Sequence, residues 1–262
     1  MVLHDALPFA PWADPRARRL PGIQPLDMAD WLRVDETYAG QMALRDGLIA
    51  DNPDLVHALD PAALPAAQEL FDKVLGVLPG LGFVIANGLV LRPDRVMVTL
   101  DRDAPLLTLG RLCQNDFCLM EKQGAEHVLT GAILCFPGSW TLAEKFGQPM
   151  IRIHQPVGDY TPDLARRVQR LFDAIRVETP LWRSTALLYA DADLHHPRSE
   201  AAPRIIPADG PTYLRSERQC LVRLPVSQAV AFSIHTYLLP VDRLTAAQTA
   251  ALHEHGLAHA ND

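Results

Sequence analysis

Histidine is the side chain best suited to hold a metal or move a proton near neutral pH, and this chain has ten. Their surroundings sort them. His253, Glu254, His255 and His259 crowd the C-terminal end, but their spacing matches no zinc template and a solvated helix end accounts for them. His195-His196 sits in a polar loop before Pro197, while His57 and His127 stand alone next to turns. Two others lie in apolar surroundings. His154 follows Met150-Ile151-Arg152-Ile153 and precedes Gln155-Pro156-Val157, and His235 lies within Phe232-Ser233-Ile234-His235-Thr236-Tyr237. By residue type alone, each reads first as a core or edge histidine with a satisfied hydrogen bond, and second as a ligand.

The other charged residues with chemical interest fall on the most polar predicted strand, Arg215 to Leu224. Side chains alternate along a strand. Arg218 therefore shares a mostly apolar face with Cys220, Val222 and Leu224, and Glu217 shares the other with Gln219 and Leu221. An inward arginine needs a partner, because an unpaired buried charge is costly. Glu217 has the chemistry to bind a cation or shuttle a proton, or to serve as a solvated strand-face carboxylate.

Several familiar constellations are missing. Gly80-Leu81-Gly82 lacks the third glycine of a dinucleotide fingerprint, and a strand follows it where a helix belongs. There is no P-loop lysine motif and no G-x-S-x-G elbow. The four cysteines, Cys113, Cys118, Cys135 and Cys220, form no C-x-x-C pair. Cys113 and Cys118 have the gap of a plant-type iron–sulfur loop without its third cysteine, so reduced buried thiols are expected. The chain shows no site of its own for NADPH, flavin or an iron–sulfur cluster. A net charge of −7 argues against a nucleic-acid interface, which needs a basic surface. No apolar run is long enough to span a membrane, and no signal sequence is visible, so a cytoplasmic protein is expected.

These residues need elements to position them. The first 30 residues are proline-rich and irregular. Helical spacing follows at Tyr38, Met42, Arg45, Leu48 and Ile49. A helix from about Asp60 carries Pro61 at its first position, with Pro65 able to move the start one turn later, and Pro79-Gly80 ends it. Hairpins are expected around Arg92-Pro93-Asp94-Arg95 and Lys122-Gln123-Gly124. Ser139 is placed to cap a short helix through Lys145, and Thr161-Pro162-Asp163 to start a longer one. Strands over 182–189, 213–224 and 230–239 and a helix from Thr245 to Gly256 close the chain. Strands and helices do not alternate regularly, so the expected class is α+β: an antiparallel sheet with helices packed on one face and an N-terminal helical extension.

An ordered set of segments resembles the haem-dependent oxidative N-demethylase α-subunit family. It comprises Gly22-Ile23-Gln24-Pro25-Leu26-Asp27, Asp30-Trp31-Leu32, Asp35 and Tyr38, then Gln114-Asn115-Asp116-Phe117-Cys118-Leu119 and Cys135-Phe136-Pro137-Gly138-Ser139-Trp140. Glu144-Lys145-Phe146-Gly147, Ile153-His154-Gln155-Pro156-Val157, Arg215-Ser216-Glu217-Arg218-Gln219-Cys220-Leu221, Arg223-Leu224-Pro225 and Phe232-Ser233-Ile234 complete it. Members of the family tend to carry Arg-x-Asn-Trp on the strand after the long helix; here the stretch is Arg183-Ser184-Thr185-Ala186, without the Asn-Trp pair.

The resemblance implies a single PAS-like haem-binding domain over 1–262. Residues 1–80 would be an N-terminal extension with helices, 81–240 the sheet and haem-pocket helices, and 241–262 a C-terminal helix and tail. It implies haem b and oxidation of a small secondary amine such as dimethylamine by O2, with electrons from a separate NADPH-dependent reductase subunit carrying FMN and a 2Fe-2S cluster. Carried onto this sequence, it makes His154 the haem-iron ligand, with His235 as second choice. Arg218 would serve a propionate or polarise bound oxygen, or else form a structural ion pair. Glu217 would bind the amine or shuttle its proton, and Trp140 and Lys145 would line the haem edge, or else serve as a core and a surface residue. Two other readings stand beside it, a haem-based gas or redox sensor and a haem-free assembly protein.

Overall fold

The computed structural model describes residues 2–19, 21–154, 162–202 and 213–257, with backbone alone for 162–165. The proline-rich start is irregular as expected, and a two-residue strand, β1 (Gln24–Pro25), follows it. Next come α1 (Tyr38–Asp51), α2 (Pro53–Val56), β2 (His57–Leu59) and α3 (Leu64–Val77). Asp60 caps a single 3-10 turn over Pro61–Ala63, and Pro65 in the next turn delays α3 to Leu64. The middle of the chain forms β3 (Val84–Ala86), β4 (Leu89–Leu91), β5 (Met97–Thr99), α4 (Pro105–Gly110), β6 (Asp116–Gln123) and β7 (Glu126–Ile133). The last part forms α5 (Leu142–Lys145), α6 (Met150–His154), α7 (Pro162–Ala174), β8 (Leu181–Tyr189), β9 (Tyr213–Arg223), β10 (Val230–Pro240) and α8 (Ala246–His255). Residues 155–161, which carry the expected Thr161 start and the Gln155-Pro156-Val157 part of the resemblance, lie outside the described residues.

Seven strands pair antiparallel in the order β1-β8-β9-β10-β6-β7-β2, and β3-β4-β5 form a separate small sheet. The class is α+β, as the sequence led us to expect. Helices, however, cover both faces of the large sheet. Phe117 and Leu119 of β6 enter a cluster with Met42 of α1, Leu70 of α3 and Leu109 of α4, whereas Cys118 and Met120 enter one with Leu142, Met150 and Phe172 of α5, α6 and α7. Alternation along one strand thus feeds two cores, which is why Asp116 to Met120 are all buried. A third cluster joins Leu7, Ala10 and Trp12 to Ala186, Leu214 and Leu239, with Leu252 of α8 packed against it.

One local expectation needs correction. Ser139 does not cap a helix: its backbone is left-handed (φ 66°), its N–H donates to His196 O and its hydroxyl pairs with that of Tyr189. The helix α5 begins after Thr141 instead. His154 is the last residue of α6. Among the described residues, no helix is long and apolar enough to cross a membrane.

Candidate functional site

Four antiparallel strands, β8, β9, β10 and β6, build the floor of the site. Cross-strand partners point to the same side of a sheet. The register Leu181↔Leu221↔Phe232↔Cys118 gives an apolar row. One step along, Arg183↔Gln219↔Ile234 and Thr185↔Glu217↔Thr236 put polar groups on that same face. The face is covered by α5, α6 and α7, whose Leu142, Met150, Ile153 and Phe172 pack with Phe146, Leu221, Phe232 and Trp140.

His154 is part-buried at the C-terminal end of α6. Its Nδ1 donates to Met150 O at 2.9 Å, which leaves the lone pair of a neutral ring on Nε2. Burial holds its pKa below the ordinary histidine value; the Met150 carbonyl opposes this, and the nearby Lys145 and Arg183 cations reinforce it. Neutral imidazole is the form that ligates a metal.

Lys145 is buried, and its Nζ donates to Ile153 O and to Glu200 Oε1 at 2.6 Å. Glu200 also takes Arg152, and these two partners lower its pKa to about 2. The lysine therefore fastens α6 one residue before His154. Trp140 packs on the same apolar wall.

Glu217 is fixed on three sides. Gln219 Nε2 donates to its Oε2 at 3.0 Å, and Arg215 Nε pairs with its Oε1 at 3.3 Å. Gly138 lies so close that an added Cβ would meet Oε1 at 2.5 Å. Arg215 is itself held by the carbonyls of Leu194 and Phe136. Phe136 is held in turn by Asp116, which accepts its N–H and that of Cys135 and pairs with the fully buried Arg45.

Arg218 faces the other way. Its Nη2 pairs with Asp30 at 3.0 Å, its Nη1 donates to Trp31 O, and its guanidinium stacks over Trp182. Adjacent residues on a strand point to opposite faces, so Glu217 and Arg218 do not share a site. The structural ion pair weighed from sequence is what the fold contains. His235 also lies on the far face, fully buried, with Nε2 2.8 Å from Asp35 Oδ2. His4 Nε2 reaches the same oxygen at 3.0 Å. By composition this trio resembles a metal site. But the Nε2 atoms of both histidines are already engaged with Asp35 Oδ2.

Sequence reasoning passed over Arg183, noticed only as the surviving end of an altered motif. It is part-buried, its Nε is shut off from water without a hydrogen bond, and burial lowers its pKa against the opposing field of Glu217. It also passed over the His195-His196 loop. His196 forms a bridge with Gly138, and His195 Nδ1 lies 2.8 Å from Cys135 O, which brings the loop to the Glu217 end of the site. Neither loop contact had a signal in spacing alone.

The altered motif divides between the two faces. Thr185 lies opposite Glu217, while Ala186 turns to the cluster that holds Trp12. The missing indole therefore belongs to the far side of the sheet, and the missing amide to the near side.

The donor set suits an iron porphyrin. It offers one neutral imidazole with a fixed tautomer, a cation for a carboxylate, and an apolar wall. Two solvent-open clefts lie elsewhere, one of about 560 Å³ beside Phe9 and Arg16 and one of about 400 Å³ beside Lys122 and Arg223. Neither is lined by His154 or Glu217. The family model described as haem-dependent oxidative N-demethylase, alpha subunit-like, matches residues 22–258, a span that takes in every strand and helix described above. The chain belongs to that family.

Proposed function

We propose that this protein binds haem b through His154 and oxidatively demethylates a small secondary amine of the dimethylamine type. Electrons would come from a separate NADPH-dependent reductase subunit carrying FMN and a 2Fe-2S cluster. The observation that carries the reading is the neutral, tautomer-fixed imidazole of His154 over the sheet face that presents Glu217. An alpha-subunit-like family and a chain without a nucleotide fingerprint both agree with an external electron donor.

Bound haem supplies the oxygen activation and redox chemistry; the protein supplies position and charge. The Met150 carbonyl orients the ring of His154, and Lys145 secures the helix that carries it. The carboxylate of Glu217 receives the ammonium form of the amine. Arg215, Gln219 and Gly138 fix its direction, so little ordering remains to be done when the amine arrives. Trp140, Phe146 and Phe232 keep water from the apolar end.

The test is the visible spectrum of protein reconstituted with haem, wild type beside His154→Ala, followed by dimethylamine-dependent formaldehyde release. A Soret band that is lost or displaced in the variant, with turnover in the wild type, is expected. An unchanged band in His154→Ala would remove the ligand assignment. A wild type that takes up no haem would leave a haem-free assembly protein, and one that takes up haem without amine turnover would leave a sensor.

A further inference from the structure

A buried guanidinium is stable only with its charge answered. The buried arginines of this fold obey that rule. Arg45 has Asp116, Arg92 has Asp46 and Asp94, Arg215 has Glu217, and Arg218 has Asp30. Arg183 is different: among the described residues its side chain makes no hydrogen bond and no ion pair, and its Nε is closed off from water. Glu217 is near enough to influence it electrostatically but forms no ion pair with it, its own ion pair being with Arg215. On the same row as Glu217, the hydroxyl of Thr236 is likewise buried without a partner. Neither group finds a hydrogen-bond partner among the described residues.

The place of Arg183 in the fold limits what can answer its charge. Arg183 stands on the face covered by α6, and its charge is felt by His154. A guanidinium offers a planar fork that matches a carboxylate, and it stays charged even when partly desolvated. We infer that Arg183 binds a carboxylate of the group that His154 ligates, a haem propionate. This rests on the haem reading above and goes further, since it moves the propionate contact from Arg218, which is occupied on the far face, to Arg183.

The test is a Soret titration with two porphyrins, haem and its dimethyl ester, whose propionates carry no charge. The proteins are wild type, Arg183→Met and, as a control, Arg218→Met. Wild type is expected to prefer haem over the diester by about tenfold or more, as for a charge-assisted fork. Arg183→Met is expected to lose that preference and bind both porphyrins alike, while Arg218→Met keeps it. Because Arg183 makes no bond within the chain, Arg183→Met should also keep the urea midpoint of the haem-free protein, which a structural role would lower. Arg183→Lys, which keeps charge but not the fork, provides a second variant and should retain part of the preference. An Arg183→Met protein that still discriminates as wild type does would overturn the inference, as would a wild type that binds both porphyrins equally; in both cases the haem reading survives. A wild type that binds neither porphyrin ends both.

Discussion

At the scale of single residues, the sharpest constraint in the site is the absence of a side chain. Gly138 has no special backbone angle to justify it; what it provides is room, since a Cβ there would sit 2.5 Å from Glu217 Oε1. The clashing atom is the end of a flexible side chain, so the fold can accommodate a methyl group by turning the carboxylate away. Gly138→Ala is therefore expected to leave the Soret band and the urea midpoint near wild type while raising the KM for dimethylamine. Glu217→Gln should raise it similarly by removing the charge. Loss of haem or of folding in Gly138→Ala would instead make the glycine a packing residue of the 135–140 turn. Sequence inspection found Gly138 as part of a run but gave no reason for it. The reason is a contact across 79 positions of chain, which no local pattern records.

At the scale of elements, legibility followed the range of the forces involved. The C-terminal strands and the hairpins at Arg92–Arg95 and Lys122–Gly124 were readable, since turn residues and β-branched runs act locally. The helix after Thr245 was readable for the same reason, and it carries a full capping box between Thr245 and Gln248. What remained hidden was each short element made by tertiary pairing. β2 exists because His57–Leu59 lies along Gly131–Ile133, and α4 because Leu106 and Leu109 are buried against α3 and β7. For Glu217 and Arg218 the alternation was legible and puts them on opposite faces, but which face carries His154 was not. The helix α8 allows a test of how these elements depend on one another. Gln248 accepts from the Trp12 indole through its carbonyl and donates to Leu7 O, so the cap also anchors the first segment of the chain. Thr245→Ala is expected to cost about 1 kcal/mol in a urea melt. It should also speed amide exchange in residues 7–17. Exchange confined to α8 would show that the two segments open independently.

At the scale of the whole molecule, acid should unfasten it in stages, beginning with its histidines. Burial depresses the pKa of His57, His127, His154 and His235, each of which is therefore held neutral in the fold. Once unfolded, each takes up a proton near pH 6.5. The unfolded chain thus binds more protons as pH falls, and the stability these groups contribute, complete above about pH 6.5, drains away below it. Asp35 acts later. Burial alone would raise its pKa, but hydrogen bonds from His235 and His4 outweigh that and hold it well below the usual carboxylate range. Its contribution lasts down to about pH 4 and fails below that. The two stages meet at one place, because Asp35 joins His235 of the central strand β10 to His4 of the irregular first segment, with Thr37 and Gln114 on its other oxygen. Arg33 and Tyr237 close the surroundings of His235, and neither offers it a second carboxylate when it gains a proton. Urea midpoints of the haem-free protein are therefore expected to be level above about pH 7, to fall between about pH 6.5 and 5, and to fall more steeply below pH 4. His235→Gln should be less stable at neutral pH but should lose less between pH 6.5 and 5. If midpoints held level or rose through that range, the buried histidines would have to be charged in the fold, and His154 would not present the neutral ring that haem ligation requires.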